Sequence, residues 1–411
     1  MSAPLLRQGS GGQALRPLLV RAVAQALRAI FQENRYADKV IEQTLKQNPK
    51  AGSHDRAFIA ETTYEVVRYY RLYCHFLGKT PVAEAEWWQL VGIHFLLKGV
   101  ALPEWVEFKP LRDLTTFKKL SNLDLSRALR ESIPDWLDAL GSAELPDRWD
   151  DTLHHLNQPA QVVLRTNRLR TDRAALQRAL FAEGVETQPA GPHDALVLTR
   201  RQNVFRTQAF RDGWFEVQDF SSQLVAPLLA PGPGMRVVDA CAGGGGKTLH
   251  LAALLQNRGS IIALDTFAWK LDELRARARR AGASNIETRP IESRKTIKRL
   301  HGSADRLLLD VPCSGLGILR RNPDAKWKLA PEQIEQLCAT QQDILQAYSP
   351  ITKPGGRMVY ATCSILPSEN ERQVDTFLAS PAGRDFRLLE QRSILPQDEG
   401  FDGFFMALME R

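Results

Sequence analysis

Cysteine is scarce in this chain, paired metal ligands are lacking, and no apolar run is long enough to cross a bilayer. The five cysteines, Cys74, Cys241, Cys313, Cys338 and Cys363, are too few and too scattered across 411 residues for a disulfide framework. No Cys-x-x-Cys or Cys/His pair stands at zinc-binding spacing, so no metal is expected. The N-terminal MSAPLLRQGSGG has no apolar leader followed by a small-residue cleavage site. These absences point to a cytoplasmic protein with reduced thiols and no membrane partner. Internal repeats are also missing.

The composition that remains, 44% hydrophobic and 25% charged, is that of a globular chain with room for two or three cores. The net charge is +7 and the pI about 9.2. Residues 1–80 carry twelve Lys/Arg against six Asp/Glu, so most of the excess resides there. Residues 160–211 hold nine arginines and no lysine against four acids. Arginine forks onto phosphates and stacks on bases, which favours an RNA partner; a solvated basic face is the competing reading.

Residues 14–140 read as helical. ALRPLLVRAVAQALRAIF, DRAFIAETTYEVVRYYRLYCHFL, WWQLVGIHFLLKGV and LDLSRALRESI all place apolar residues at helical spacing. The aromatic stripe of Tyr64, Tyr69, Tyr70, Tyr73, Trp87 and Trp88 reads as core. Pro134 and ELPD at 144–147 mark a domain boundary. Beyond it the period changes: VVLRTN (162–167) reads as a strand, DRAALQRALFAEG (172–184) as a helix and ALVLTR (195–200) as a strand, a small α/β unit. From residue 235 strands and helices alternate regularly, MRVVDA, KTLHLAALLQN, SIIALD, KLDELRARARRAG, NIETRP, RLLLDVPC, PEQIEQLCATQQDILQAYSPI and RMVYATCS. Alternation with apolar strands implies a doubly wound parallel sheet with helices on both faces.

DACAGGGGKT at 239–248 resembles a nucleotide P-loop, but the first glycine of that motif would fall on Cys241. What survives is geometry. A strand ends in Asp239, glycines open a helix, and the next strand ends in Asp265, placed for ribose hydroxyls at the switch point. NAD and S-adenosylmethionine both satisfy this pattern. Two later strands end in cysteines, Cys313 in DVPCSG and Cys363 in ATCS, and both lie on the ligand-facing rim with Asp310. Cys74 and Cys338 lie on helical apolar stripes and read as small buried hydrophobes.

DACAGGGGKT, DVPCSG, RRNPDAKW and YATCS, in this order, resemble the RNA 5-methylcytosine methyltransferases, and most of all the bacterial rRNA members known as Fmu or Sun proteins. FEVQDFSSQLVA at 215–226 is similar to the segment before the cofactor loop in that family. The resemblance is firm over roughly residues 145–411. The helical N-terminus is similar to a NusB-like RNA-binding domain.

The resemblance implies an α/β, class I methyltransferase fold with a Rossmann-like sheet at 221–411. Ahead of it come a small α/β, RRM-like RNA-binding subdomain at 144–220 and a helical NusB-like domain at 1–143. It implies a monomer that uses S-adenosylmethionine and acts on RNA, ribosomal (16S) first and tRNA second. Cys363 becomes the nucleophile that adds to cytosine C6, Cys313 assists release, Asp310 bonds the base edge, and Lys247 contacts cofactor or base. Cys241, Ala242, Gly243, Gly244, Gly245, Gly246 and Lys247 cradle the cofactor, with Asp265 on its ribose and Asp310 and Glu292 also on the cofactor side. Lys326 reads as a support of the rim or, alternatively, as a solvated loop lysine; Arg320, Arg321 and Lys328 flank the rim, placed to hold neighbouring phosphates, and the arginines at 165–178 extend that track.

The chain departs from the family pattern at Gly243 and Gly244, where alanine and proline are usual. Glu292 stands one or two positions from the family's adenine-side acid. The looser loop is expected to weaken cofactor binding without abolishing it. It also motivates an alternative, a non-catalytic RNA-binding or assembly protein on a degenerate methyltransferase fold. A third reading, an NAD-linked oxidoreductase, leaves Cys363 without a task.

Overall fold

The computed structural model describes residues 15–111, 125–191 and 194–411. Its contacts divide the chain into two compact units, residues 1–157 with 321–329, and residues 158–320 with 330–411. MSAPLLRQGSGG, and with it the reading of a missing leader, lies outside the described residues, as do Ala14 and the first two residues of LDLSRALRESI. No helix among the described residues is long and apolar enough to cross a membrane.

The first unit is helical. Its main helices are α1 (Pro17–Phe31), α2 (Ala37–Gln47), α3 (Ser53–Arg68), α4 (Tyr70–Leu77) and α5 (Glu84–Leu97). Pro17 opens α1, where its missing N–H costs nothing, and Val20, Val23, Leu27 and Ile30 then recur on one buried face. Gly78, at φ +78°, ends α4 in the left-handed conformation. Tyr73, Trp87 and Trp88 are buried, and Tyr64, Tyr69 and Tyr70 pack against the same core. Phe31 stacks on Tyr70 with ring centroids 3.6 Å apart.

Helices Asp135–Glu144 and Trp149–Leu156 belong to this unit as well, so it runs past the expected boundary at 143/144. Pro134 starts a helix here instead of ending a domain. Trp149 lies flat against Gly141, where a Cβ would meet the indole at 2.2 Å. Arg68 Nη1 donates to Leu156 O at 3.4 Å, and Asn157 Nδ2 to Glu131 O at 2.9 Å.

The second unit holds two sheets. The smaller joins β1 (Val163–Thr166), β2 (Thr187–Ala190), β3 (Ala195–Leu198) and β4 (Phe215–Val217) in the antiparallel order β2-β3-β1-β4, with helix Arg173–Ala182 packed on it. The larger comprises β5 (Arg236–Asp239), β6 (Ser260–Asp265), β7 (Ile286–Pro290), β8 (Ala304–Asp310), β9 (Thr352–Thr362), β10 (Arg387–Ile394) and β11 (Phe404–Glu410). Their order is β10-β11-β9-β8-β5-β6-β7. β5 to β9 run parallel, whereas β11 is antiparallel to both β9 and β10.

Alternation within each strand feeds two cores. Val238, Leu307, Leu309, Met358, Tyr360 and Phe405 face one side, and Val237, Leu308, Val359, Ala361 and Met406 the other. The valine, leucine, methionine and phenylalanine side chains among them, fully buried, contribute about 1.5–3 kcal/mol each. The sheet's chain order reverses between β5 and β8, so the switch point opens at the carboxyl ends of these two strands.

Candidate active site

At that switch point β5 ends in Asp239 and the chain turns through glycines into helix Gly246–Leu254. The turn needs left-handed backbone at Gly243 (φ +54°) and Gly245 (φ +86°). At Gly245 a Cβ would also strike Leu274 Cγ at 2.5 Å, whereas at Gly243 and Gly246 it would meet nothing within 4 Å. The loop is therefore packed on one side and open on the other. Arginines clamp its packed side: Arg277 Nη1 donates to Gly244 O at 2.7 Å and Arg165 Nη1 to Gly246 O at 2.6 Å. Glu216 of β4 holds both Arg277 and Arg280.

Asp265 closes β6 beside this loop. Its Oδ2 accepts Gly243 N–H at 2.9 Å and its Oδ1 accepts Phe267 N–H at 2.8 Å. Each oxygen retains a lone pair beyond those bonds. Ile291 N–H donates to Asp265 O at 2.9 Å, which brings the exposed Glu292 next to the same rim. Cys241 packs against the apolar core of one sheet face, and burial pushes its thiol well above the ordinary range.

Asp239 is fully buried, and Thr248 Oγ1 donates to its Oδ2 at 2.7 Å. Burial pushes this carboxyl up to about 7. An aspartate in the unfolded chain titrates near about 3.9, so between these values the folded state binds more protons than the unfolded one. Stability from this group is thus full below about pH 4 and lost as pH rises through about 7. Asp239→Asn is expected to remove that loss, on the order of 4 kcal/mol at most. Urea denaturation of both proteins from pH 5 to 8 checks it; parallel curves refute it.

Across the switch point, Lys247 Nζ donates to Asp310 Oδ2 at 2.6 Å and lies 5.0 Å above the Phe404 ring. The lysine side chain is 12% exposed and the carboxylate 29%, so the pair borders solvent on the acid's side. Asp310 stands opposite Ala361 in the β8–β9 ladder, and the two strands end together. Cys313 and Cys363, three and two residues further on, bring their sulfurs to 3.3 Å. The Cys313 thiol is held protonated well above its ordinary range by its hydrogen bond with Cys363 and by burial.

Two groups expected at the rim make their bonds within the helical unit. Lys326 is 1% exposed inside the helical unit, where Nζ donates to Arg68 O at 2.8 Å, Trp327 Nε1 donates to Val67 O, and Asp324 Oδ2 accepts Ala37 N–H. Lys328 donates to Asn34 Oδ1 at 3.1 Å in that unit. Two members of the phosphate track are structural. Arg165 is 2% exposed and bound to the loop, and Arg320 donates to the carbonyls of Gln158, Pro159, Gly400 and Phe401.

Comparison with known proteins decides the family. The profile described as "16S rRNA methyltransferase RsmB/F" matches residues 226–410, and that of its "ferredoxin-like domain" matches residues 133–205. A Synechocystis protein named "Probable ribosomal RNA small subunit methyltransferase B" is 32% identical, the alignment covering 94% of this chain and 97% of the relative. A Proteus mirabilis protein, "Ribosomal RNA small subunit methyltransferase B", is 30% identical over 100% of this chain and 96% of its own. The chain belongs to the RsmB/F methyltransferase family. Among solved structures, the crystal structure of PH0851 covers 98% of this chain and 100% of its own at TM-score 0.82 and 24% identity, which supports the fold. The ferredoxin-like profile begins at residue 133, whereas contacts place residues up to 157 with the helical unit.

S-adenosylmethionine is the methyl donor of the RsmB/F family. The site fits it. The glycine loop is open where a ligand's chain would pass, at Gly243 and Gly246, and Asp265 keeps acceptor capacity beside it. Asp265→Ala is expected to raise the donor's dissociation constant, by about 1 kcal/mol or more per lost hydrogen bond. Calorimetry checks this; an unchanged isotherm contradicts the placement. The arginine clamps on Gly244 and Gly246 also restrain a loop that its extra glycines would otherwise loosen.

No motif in the sequence marks Glu369 as a site residue. This carboxylate is fully buried beneath both cysteine turns. Its only signal was the acid of SEN shortly after ATCS, which reads as a polar surface turn.

Proposed function

We propose that this chain methylates C5 of a cytosine in RNA, 16S ribosomal RNA first, through a covalent bond between Cys363 and C6. The observation that carries the reading is the sulfur pair at 3.3 Å beside the Lys247–Asp310 pair at 2.6 Å, at the ends of neighbouring strands. Cytosine C5 is a poor nucleophile, and a task requiring two thiols is to add one at C6 and later expel it. S-adenosylmethionine, when bound, supplies the electrophilic methyl group.

Cys363 gives up its proton to water and adds as the thiolate, and the ring electrons move to N3, which takes up a proton from water. Asp310, held by Lys247, accepts the hydrogen bond from that edge of the base. Once C5 carries the methyl group and has passed its proton to water, N3 returns its proton to water, the C5–C6 double bond reforms and sulfur leaves. Cys313, as the protonated partner, then donates to the departing Cys363 sulfur. The base must be unpaired or flipped, since its C6 face is stacked within a helix.

The small α/β sheet and the helical unit are assigned to RNA binding, and action is assigned to the cytoplasm. With Arg165 and Arg320 bound internally, phosphate contact on the small α/β subdomain passes to the exposed Arg178, Arg200, Arg201 and Arg206. The alternative of an inert scaffold gains nothing from the site, where a pair of thiols and a lysine–carboxylate pair stand at the ends of neighbouring strands. Bisulfite sequencing of RNA from a strain lacking the gene tests the reading. A 5-methylcytosine should vanish from 16S rRNA; full retention of every such site in rRNA and tRNA overturns it.

A further inference from the structure

The two cysteines lie in the same four-residue pattern, Cys313-Ser314-Gly315-Leu316 and Cys363-Ser364-Ile365-Leu366. In each turn the serine Oγ accepts the backbone N–H two residues on, from Leu316 at 3.4 Å and from Leu366 at 3.1 Å. That contact occupies oxygen lone pairs and leaves each O–H free to donate. Both hydroxyls donate to one oxygen, Glu369 Oε2, each at 2.5 Å, and the two Oγ atoms are 3.2 Å apart. The other oxygen, Oε1, accepts Ser314 N–H at 2.8 Å and Gln341 Nε2 at 3.1 Å. Gln341 in turn donates to Pro312 O at 3.0 Å, just before Cys313.

Glu369 is itself fixed from behind: Tyr360 O–H donates to its carbonyl at 2.7 Å and its own N–H donates to Leu366 O at 3.0 Å. It is 0% exposed, and among the described residues its carboxylate bonds only to neutral donors. A buried carboxylate without a cation is costly, and it persists only where several donors converge.

We propose that Glu369 is the positioning residue of the sulfur pair: one carboxylate oxygen draws Ser314 and Ser364 together and so sets the Cys313–Cys363 distance. The inference rests on the reading of these thiols as nucleophile and release partner. Charge-assisted bonds to one atom mean that neither turn can withdraw without breaking a strong hydrogen bond. The negative charge next to the turns also disfavours a thiolate at Cys313, after the hydrogen bond with Cys363 and burial. The other titratable groups around this cluster are the Tyr360 phenol on β9, Cys338 on helix Pro331–Tyr348 and Cys241 after β5. Glu369 makes no described bond to either sulfur, so it acts through the serines.

Glu369→Gln preserves shape, removes the charge and sets an amide where an acceptor stood. Iodoacetamide labelling of Cys313 in the purified full chain, followed across pH by peptide mass spectrometry, should shift to lower pH. Methyl transfer should fall about a hundredfold in kcat with KM for RNA nearly unchanged. An unshifted labelling profile overturns the proposal, whatever the activity. Ser364→Ala keeps the charge and removes one hydroxyl, so kcat should fall while the profile stays; full kcat in that variant also overturns it, including where Glu369→Gln does not fold. Labelling needs neither donor nor RNA. A wild type that failed to methylate cytosine would defeat the functional reading, and the labelling shift would still decide Glu369.

Discussion

Cys363→Ala abolishes methyl transfer to RNA, by at least roughly 10⁴-fold, while donor affinity stays within about twofold. The first half follows from the chemistry. Without sulfur at C6 the cytosine ring never gains the electron-rich C5 that attacks a methyl group, and no other described thiol follows β9. Cys313, 3.3 Å away, does not replace it, because burial and its surroundings hold that thiol protonated. The second half follows from separation of labour. The glycine loop is bound through Asp265, Arg277 and Arg165, and none of these contacts passes through β9. A filter assay with a radiolabelled donor and calorimetry on the same preparation read the two halves. Residual turnover within tenfold of wild type would remove Cys363 from the reaction; loss of donor binding would instead mark it as structural.

The parallel strands could be read from the sequence because buried strands are written as unbroken apolar runs. RLLLD and RMVYAT announce β8 and β9, and the cysteines following them stand in polar turns where a buried packing role is poor use of a thiol. β2, which spans Thr187–Ala190, was illegible: TQPA carries a proline and two exposed residues, as an edge strand can. β10 and β11 escaped because the alternation ends at Cys363, and β11 returns antiparallel without the helix that signals a parallel crossover.

The arginines misled for a physical reason. Arg165 lies in the middle of β1, and a guanidinium can satisfy itself on backbone carbonyls as well as on phosphate. Composition counts the charge and is silent on what it touches. Residues 321–329 failed similarly. Asp324, Lys326 and Trp327 bond helices more than two hundred and fifty residues earlier in the chain, and nothing local in RRNPDAKW states which core it joins. Glu369 is the same problem in reverse, since a carboxylate in a polar turn looks solvated until the fold brings two serines to it.

Cys313→Ala has the opposite signature to Cys363→Ala: it accumulates a covalent protein–RNA complex. The Cys313 substitution leaves the nucleophile, Asp310 and the donor site intact, so addition and methylation proceed. What it removes is the S–H that faces Cys363 Sγ at 3.3 Å. Departure of sulfur from C6 then releases a thiolate into a half-buried site that has lost the S–H facing it, where an uncompensated charge is costly. The equilibrium and the rate both favour the adduct, and the enzyme stalls after one turnover. The complex should appear in denaturing gels as a slowly migrating band that requires donor and RNA, collapses on ribonuclease treatment, and is absent from the Cys313→Ala/Cys363→Ala double variant. Steady turnover of the single variant without such a band would strip Cys313 of its role in release and leave the sulfur pair without a chemical reason for its proximity.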